Sequence, residues 1–378
     1  ANTLRLAITG QLGKDAFTSD EMYQTMDLCV GCKGCKRECP TGIDMAKMKA
    51  EFLHHYHQKH GLRLRERVFA YLPRYAPKLK YFSFLLNLRD QIPGFAKISE
   101  WVLGVSSKRK LPKWRTDHFI ADTQDLDNLD NKPEVVLLVD TFNSCFEAEN
   151  ANAALKVLNA AGYKVICPSP VDKGRPLCCG RTFFSNGLLD EARVEANRMI
   201  DTLLPYALRG IAIVGLEPSC LLTLRDEYLA LLPGEKTQIL SENSYLFEEF
   251  LVKEKNAGKL NLELNPISNK KTLIHGHCHQ KSLEAMTPVQ LILELIPELE
   301  VETIDSSCCG MAGSFGYEVE HYDVSMQMAE LSLFPAIKDD SGSSIIVADG
   351  TSCRSQILHG TGQKAVHVAR VLEMALNN

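Results

Sequence analysis

Thirteen cysteines lie in this 378-residue chain, and twelve of them fall into patterned groups. In "LCVGCKGCKRECPTG", Cys29, Cys32, Cys35 and Cys39 stand at C-x2-C-x2-C-x3-C-P. Two-residue gaps let three consecutive thiolates reach three irons of one cubane [4Fe-4S] cluster, whereas tetrahedral zinc sites usually take two C-x2-C pairs separated by a longer loop. In two-cluster proteins the fourth cysteine of such a run serves the other cluster. The spacing therefore leaves open whether Cys39 joins the cluster of Cys29.

The vicinal pairs Cys178-Cys179 and Cys308-Cys309, each followed by glycine, carry a second chemistry. Adjacent cysteines close a disulfide only in a strained ring, so the pairs are expected to put one sulfur on each of two irons or one sulfur between two irons. Gly180 and Gly310 let the backbone approach with no Cβ in the way. "CCGMAGSFG" lacks the Lys-Ser/Thr that a phosphate-binding loop needs. In "HGHCHQK", His275, His277 and His279 surround Cys278; they could ligate metal or move a proton, against the structural reading of hydrogen-bonding caps at a strand end. "HHYH" at 54–57 reads as a solvated helix face, and Cys167 as a buried structural thiol.

Positioning these thiols requires a particular set of elements. Residues 1–61 read as helical, with Thr18 or Ser19 as an N-cap, a helix in "GIDMAKMKAEFLHHYHQKHG" closed by Gly61, and the four-cysteine run as the loop between helices. Residues 62–130 form a basic arm of short amphipathic helices broken by Pro73, Pro77 and Pro93, ending in the acidic, turn-rich connection "HFIADTQDLDNLDNKPE". The remainder is an internal duplication, expected over 131–255 and 256–378.

In the first copy "EVVLLVD" runs to Cys145, "YKVIC" precedes Cys178-Cys179, and "IAIVGLEPSC" ends at Cys220. In the second, "KTLIHGHC" ends at Cys278, "VETID" precedes Cys308-Cys309, and "SIIVADGTSC" ends at Cys353. Between the single cysteine and the pair lie 32 residues in one copy and 29 in the other, an agreement that supports the duplication. Strand and helix alternate, which predicts right-handed crossovers, a parallel sheet, and ligands at the carboxyl ends of the strands. Each copy is expected to deliver four thiols to one sheet edge.

Composition bounds the rest. With 45 % hydrophobic residues the chain can build two or three cores. The net charge of -5 hides an asymmetry, since between Lys47 and Arg115 sixteen Lys and Arg face four Asp and Glu. No apolar run is long enough to span a bilayer and no signal peptide is visible, so the expected location is cytoplasmic, with peripheral contact to the inner membrane as the alternative. So many cysteines without a secretory signal point to metal or redox chemistry rather than to disulfides. The chain shows no Rossmann glycine fingerprint or P-loop.

At these residues the sequence resembles the CCG-domain iron-sulfur proteins, among them the CCG-bearing subunit of heterodisulfide reductase and the iron-sulfur subunits of glycolate oxidase and anaerobic glycerol-3-phosphate dehydrogenase. "ANTLRLAITGQLG", "CVGCKGCKRECPTGIDMAKMKAEFL" and both CCG copies are similar, more closely, to the C-terminal portion of fused flavoproteins of the D-2-hydroxyglutarate / D-lactate dehydrogenase type, over essentially the whole chain. The implied fold is α/β, a helical ferredoxin-like segment plus a duplicated parallel CCG domain. It implies 4Fe-4S clusters as cofactors here and FAD in a preceding domain of the same polypeptide, outside this chain. Cys29, Cys32, Cys35 and Cys39 would form the entry relay, and Cys145, Cys178, Cys179, Cys220, Cys278, Cys308, Cys309 and Cys353 the terminal redox site, with the second copy preferred as the occupied one. Thr223 and Gln356 stand where heterodisulfide reductases carry a further cysteine, which argues against five-thiol clusters.

The resemblance also implies a role: electrons taken from a D-2-hydroxy acid at FAD pass along this chain one at a time to an acceptor, a quinone or a carrier. No residue here is assigned a catalytic role, and the chain by itself is expected to be inactive on the hydroxy acid. No nucleic-acid partner is expected; the basic arm is assigned to docking on the flavin domain or on an anionic membrane surface. Two other readings compete, a thiol-disulfide reductase of the heterodisulfide type and a zinc scaffold without redox chemistry.

Overall fold

A computed structural model describes residues 1–120, 132–340 and 342–376; most of the acidic connection expected at 118–134 lies outside them. The fold is α/β. Two four-stranded parallel sheets form, one of β1 (Glu134–Leu138), β2 (Lys164–Ile166), β3 (Ile213–Gly215) and β4 (Ser244–Leu246) in the order β2-β1-β3-β4. The other holds β5 (Lys271–Ile274), β6 (Glu300–Thr303), β7 (Ile345–Val347) and β8 (Ala365–Val366) in the order β6-β5-β7-β8. In both, strand order reverses beside the first strand, and the crevice at that switch point is where open parallel sheets bind ligands. The sequence announces three strands per copy, and the fourth is in each case a two- or three-residue piece too short to show a pattern.

Alternation along the first strands explains how the units join. Val135 and Leu137 of β1, with Ile274 of β5 and Val347 of β7, face a shared core, while Val136, Leu138, Leu273 and Ile346 face the outer cores of their own units. Two helix pairs fill the shared layer: Ala148–Ala160 against Val368–Ala375, and Phe247–Asn256 against Thr287–Leu293. The first long helix of each copy meets the last helix of the other, a reciprocal contact that makes the pair a pseudo-two-fold dimer in one chain. Buried Leu and Ile side chains such as Leu158, Leu251, Ile292 and Leu372 each contribute about 1.5–3 kcal/mol to holding it together.

The N-terminal segment is helical. Ser19 caps the Asp20–Asp27 helix by accepting from the Met22 amide, and Asp44 caps the Met45–His60 helix, which ends at Gly61. This helix is not solvated over "HHYH": Tyr56 and His57 are buried, and His54 bonds the Gly187 carbonyl at 3.2 Å. A side chain at Gly187 would lie 2.4 Å from the Leu53 Cβ, so glycine there lets the helix rest on the first unit. The helical periodicity marks an apolar face without revealing that a second face is covered by a neighbour.

The arm is a strap. Pro73 and Pro77 sit in the first turns of the Leu72–Tyr75 and Ala76–Phe82 helices and so start elements rather than break them, while Pro93 falls between Ser83–Gln91 and Phe95–Leu103. Two of its arginines are used inwards: Arg74 pairs with Glu191 and Glu195 of the first unit, and Arg65 with Glu318 and Glu320 of the second. What the arm shows to solvent is mixed: Phe84 is 75 % and Trp101 88 % exposed, beside exposed Arg67, Lys78, Lys97, Lys108 and Lys110. Among the described residues no helix is long and apolar enough to cross a membrane.

Candidate metal centre

Strand register decides which cysteines are equivalent. Val214 of β3 pairs with Leu137, and Val347 of β7 pairs with Ile274; Cys220 and Cys353 each follow those valines by six residues, so Leu137 and Ile274 correspond. Cys278 is four residues beyond Ile274, and four beyond Leu137 stands Thr141, not Cys145. Caps agree with the register. Asp140 accepts from the Phe142 and Asn143 amides to start one short helix, and His277 accepts from the His279 amide to start the other, leaving Thr141 and Cys278 as first helical residues.

Cys145 is therefore a turn too far along. It lies at the end of its helix in a pocket with Ala76, Phe146 and Trp114, where burial pushes the thiol up to about 11. The expected fourth thiol of the first copy is not brought to the others, because the near-equal loop lengths conceal a shift of one helical turn. Cys178, Cys179 and Cys220 form a hydrogen-bonded row without it. At Cys220 the bond from Cys179 favours the thiolate, but burial beside Asp140 and Glu217 prevails, and the thiol is pushed up to about 12.

In the second copy all four thiols join. Cys278 meets Cys308, Cys308 meets Cys309, and Cys309 meets Cys353. At Cys278 the hydrogen bond with Cys308, together with burial, raises the thiol far above its ordinary value. Thiols packed this way lose their protons to solvent readily only when a cation takes the sulfur lone pairs in their place, which is the chemistry of a metal site. Gly310, at φ +86°, turns the chain so that its amide donates to Cys308 Sγ at 3.4 Å; a Cβ there would meet the Ser325 carbonyl at 2.3 Å. Gly180 does the same for Cys178 at 3.3 Å. Amide bonds to ligating sulfurs are one of the means by which proteins tune iron-sulfur centres.

The three histidines have different roles. His277 is the cap already described. His279 donates from Nε2 to the Gly31 carbonyl at 3.3 Å, tying the four-cysteine segment to the second unit, and Ser282 Oγ donates to the Lys33 carbonyl at 2.8 Å. His275 points elsewhere. Its Nδ1 is 2.9 Å from Ser306 Oγ, while its Nε2 is buried without a partner, and its ligand atom lies with those of Cys309 and Cys353 in a group all within 4.8 Å of one another. Burial, with Lys281 and His277 alongside, holds this imidazole neutral.

The first cysteine run is not all loop, since Gly34–Glu38 is a short helix containing Cys35. Cys32 lies within electrostatic reach of Cys29, Cys35 and Cys278. Cys39 is turned outward, and the hydrogen bond from Thr41 holds its thiol below the ordinary value. Lys33, 1 % exposed, anchors the run in the first unit through Asp226 and Glu227. Burial alone would raise the Asp226 carboxyl, but the ammonium groups of Lys33, Lys47 and Lys36 hold it far below the carboxylate range. Lys49 donates to the Cys29 carbonyl at 2.7 Å. A lysine inside a cysteine run reads as solvent-facing, so nothing in the sequence marks Lys33 as buried. Cys167 is half-buried at the edge of the shared core, where burial pushes it up to about 11.

Between the arm, the cysteine run and both units opens an apolar cavity of about 1040 Å³, lined by Phe142, Phe146 and Phe184 of the first unit and by Cys29, Cys32, Cys278, Cys308, Cys309 and Cys353. The thiols of the first unit do not line it. Soft thiolates, an unpartnered imidazole nitrogen and amide-bonded sulfurs fit iron or zinc rather than a hard cation.

Residues 272–358 match the family model of the cysteine-rich domain CCG. Over 366 residues the chain is 28 % identical to D-2-hydroxyglutarate dehydrogenase of Escherichia coli (strain K12), covering 91 % of this chain and 34 % of that protein. A subunit of the anaerobic glycerol-3-phosphate dehydrogenase of the same organism is 28 % identical over 306 residues, 78 % of this chain and 73 % of the relative. An uncharacterized iron-sulfur protein of Methanocaldococcus jannaschii is 24 % identical over 302 residues, 77 % of this chain and 49 % of its own. The chain thus spans about a third of the length of the D-2-hydroxyglutarate dehydrogenase it matches. The stretch that matches the CCG cysteine-rich domain lies in the second α/β unit, the one with the parallel sheet, the switch-point thiols and the glycine-turned Cys308-Cys309 pair.

Proposed function

We propose that this chain is the iron-sulfur, electron-carrying portion of an oxidoreductase, taking electrons from an FAD-bearing domain that oxidises a D-2-hydroxy acid and passing them to an acceptor such as a quinone or a carrier. Cys29, Cys32 and Cys35 ligate one centre, with Cys39 facing a further one; Cys278, Cys308, Cys309 and Cys353 ligate the second. Bound there, clusters supply one-electron carriers. The protein supplies thiolates, excludes water, and fixes the two ligand sets against each other through His279, Ser282 and Lys33.

One observation carries this reading: Cys32 and Cys278 belong to different ligand sets, yet they lie within electrostatic reach of each other and line the same cavity. An arrangement in which two thiol sets share one apolar space suits electron transfer between them. The outer face of the arm, with exposed aromatics beside exposed lysines, is assigned to docking on the flavin domain.

A single metal ion without redox chemistry is the second reading, favoured by the closeness of the His275, Cys309 and Cys353 ligand atoms. Iron and acid-labile sulfide in the anaerobically purified chain support electron transfer. A colourless protein with zinc and no sulfide overturns it. The isolated chain is expected to show no turnover of D-2-hydroxyglutarate or D-lactate, and steady-state turnover would contradict the assigned division of labour.

A further inference from the structure

The register that equates Leu137 with Ile274 also equates Leu138 with His275. In the first unit Leu138 packs in the outer core with Cys179 and Cys220; in the second, the same place beside Cys309 and Cys353 holds an imidazole. A buried histidine among apolar side chains ordinarily satisfies both ring nitrogens, because leaving a buried polar atom unpaired forfeits its solvation with nothing in return. His275 satisfies one. Nδ1 is held by Ser306, whose hydroxyl also accepts from Lys281 Nζ at 3.3 Å; Nε2 is buried without a partner, and a nitrogen of this ring lies within 4.8 Å of both sulfurs. A ring nitrogen held by an oxygen while the other faces thiols is the arrangement metal-bound histidines keep, with the held nitrogen carrying the proton. Gln356, standing where heterodisulfide reductases carry a further cysteine, is tied to Arg109 at 2.6 Å and to the Ser325 carbonyl at 3.0 Å, and does not compete for this role.

We infer that His275 binds the metal centre of the second unit through Nε2, alongside Cys309 and Cys353, so that the centre is ligated by imidazole as well as thiolate. The inference rests on the proposed iron-sulfur reading of that unit. Its consequence is electronic. Imidazole is neutral where thiolate is negative, and nitrogen ligation raises the reduction potential of an iron-sulfur centre. The second-unit centre is thereby set above an all-thiolate centre at Cys29, Cys32 and Cys35, and electrons run from the cysteine run into the second unit. Ser306 is a positioning residue that fixes the ring.

The test is pulsed EPR on the dithionite-reduced full chain, produced with natural and with ¹⁵N-labelled histidine. Strong nitrogen coupling that changes with the histidine label is expected in the wild type. It should vanish in His275→Leu, a replacement the first unit already accommodates at the equivalent place, and the potential of one centre should fall in His275→Cys. The wild-type spectrum decides even where a variant fails to fold. An iron-sulfur signal without label-dependent coupling, or coupling that survives His275→Leu, overturns the inference and leaves the electron-transfer reading standing. Absence of iron overturns both.

Discussion

The two α/β units share strand order, crossover pattern and a glycine-turned cysteine pair, yet they differ where chemistry would occur. Four thiols meet in the second unit, His275 stands beside them, and the group opens on the cavity that also holds Cys29 and Cys32. The first unit has three thiols in a row, Thr141 where the fourth should be, and Leu138 in place of the histidine. It holds ion pairs instead. Fully buried Glu195 is met by Arg74, Arg175 and Arg198, and Asp226 by three lysines, so the first unit anchors the arm and the cysteine run. A duplicated fold can keep its packing while one copy trades donors for structural contacts, since fold depends on apolar alternation and a metal site on a few side chains.

The sharpest way to break this comparison is to remove each pair. Cys308→Ser with Cys309→Ser should strip the iron of the second unit, whereas Cys178→Ser with Cys179→Ser should leave iron per chain nearly unchanged, as measured on anaerobic protein. The reverse ranking would reverse the roles of the units. Next in size is Asp226→Ala, which leaves three ammonium groups, one of them buried, with a single carboxylate and should cost about 3–5 kcal/mol in denaturant unfolding. A loss under about 1 kcal/mol, the range of an exposed ion pair, would show that the first unit does not anchor the run.

A smaller effect follows from His321, which joins the second unit to the N-terminal helix before the cysteine run by bonding Glu318 and Asp27 at 2.9 Å each. Burial opposes its charge, but Asp27 and Glu318 prevail and raise it to about 9. A raised folded-state value means that the stabilisation is complete below the unfolded value of about 6.5 and is lost as pH climbs through about 9, by about 3 kcal/mol at most. Unfolding free energy should therefore fall between pH 7 and 10 in the wild type and stay flatter in His321→Gln. Smallest of all, Cys145→Ser and Cys167→Ser should leave iron content unchanged, because neither thiol reaches a row.

Much of this was legible in the sequence. Apolar runs at β1, β3, β5 and β7, the capped helix at Met45–His60 and the paired order of strands and cysteines specify the duplicated α/β fold, because buried parallel strands must be continuously apolar. The second unit's four thiols could be read from spacing alone. Cys145 could not, since its distance to Cys178 does not reveal which turn follows β1. Nor could the separate duties of His275, His277 and His279, which alternate through a strand-end side chain, a helix cap and a docking bond. Part of the arm's charge is hidden for a related reason: composition counts arginines but does not show that Arg65 and Arg74 face glutamates more than a hundred residues away, while Arg67, Lys78, Lys97 and Lys108 stay exposed.

The central claim is that the cysteine run and the second unit form one electron path through a shared cavity. EPR of the dithionite-reduced full chain tests it most directly. Two iron-sulfur signals broadened by mutual magnetic interaction are predicted, with the broadening removed by Cys308→Ser plus Cys309→Ser and retained in Cys178→Ser plus Cys179→Ser. A single sharp signal that neither double substitution alters would contradict it.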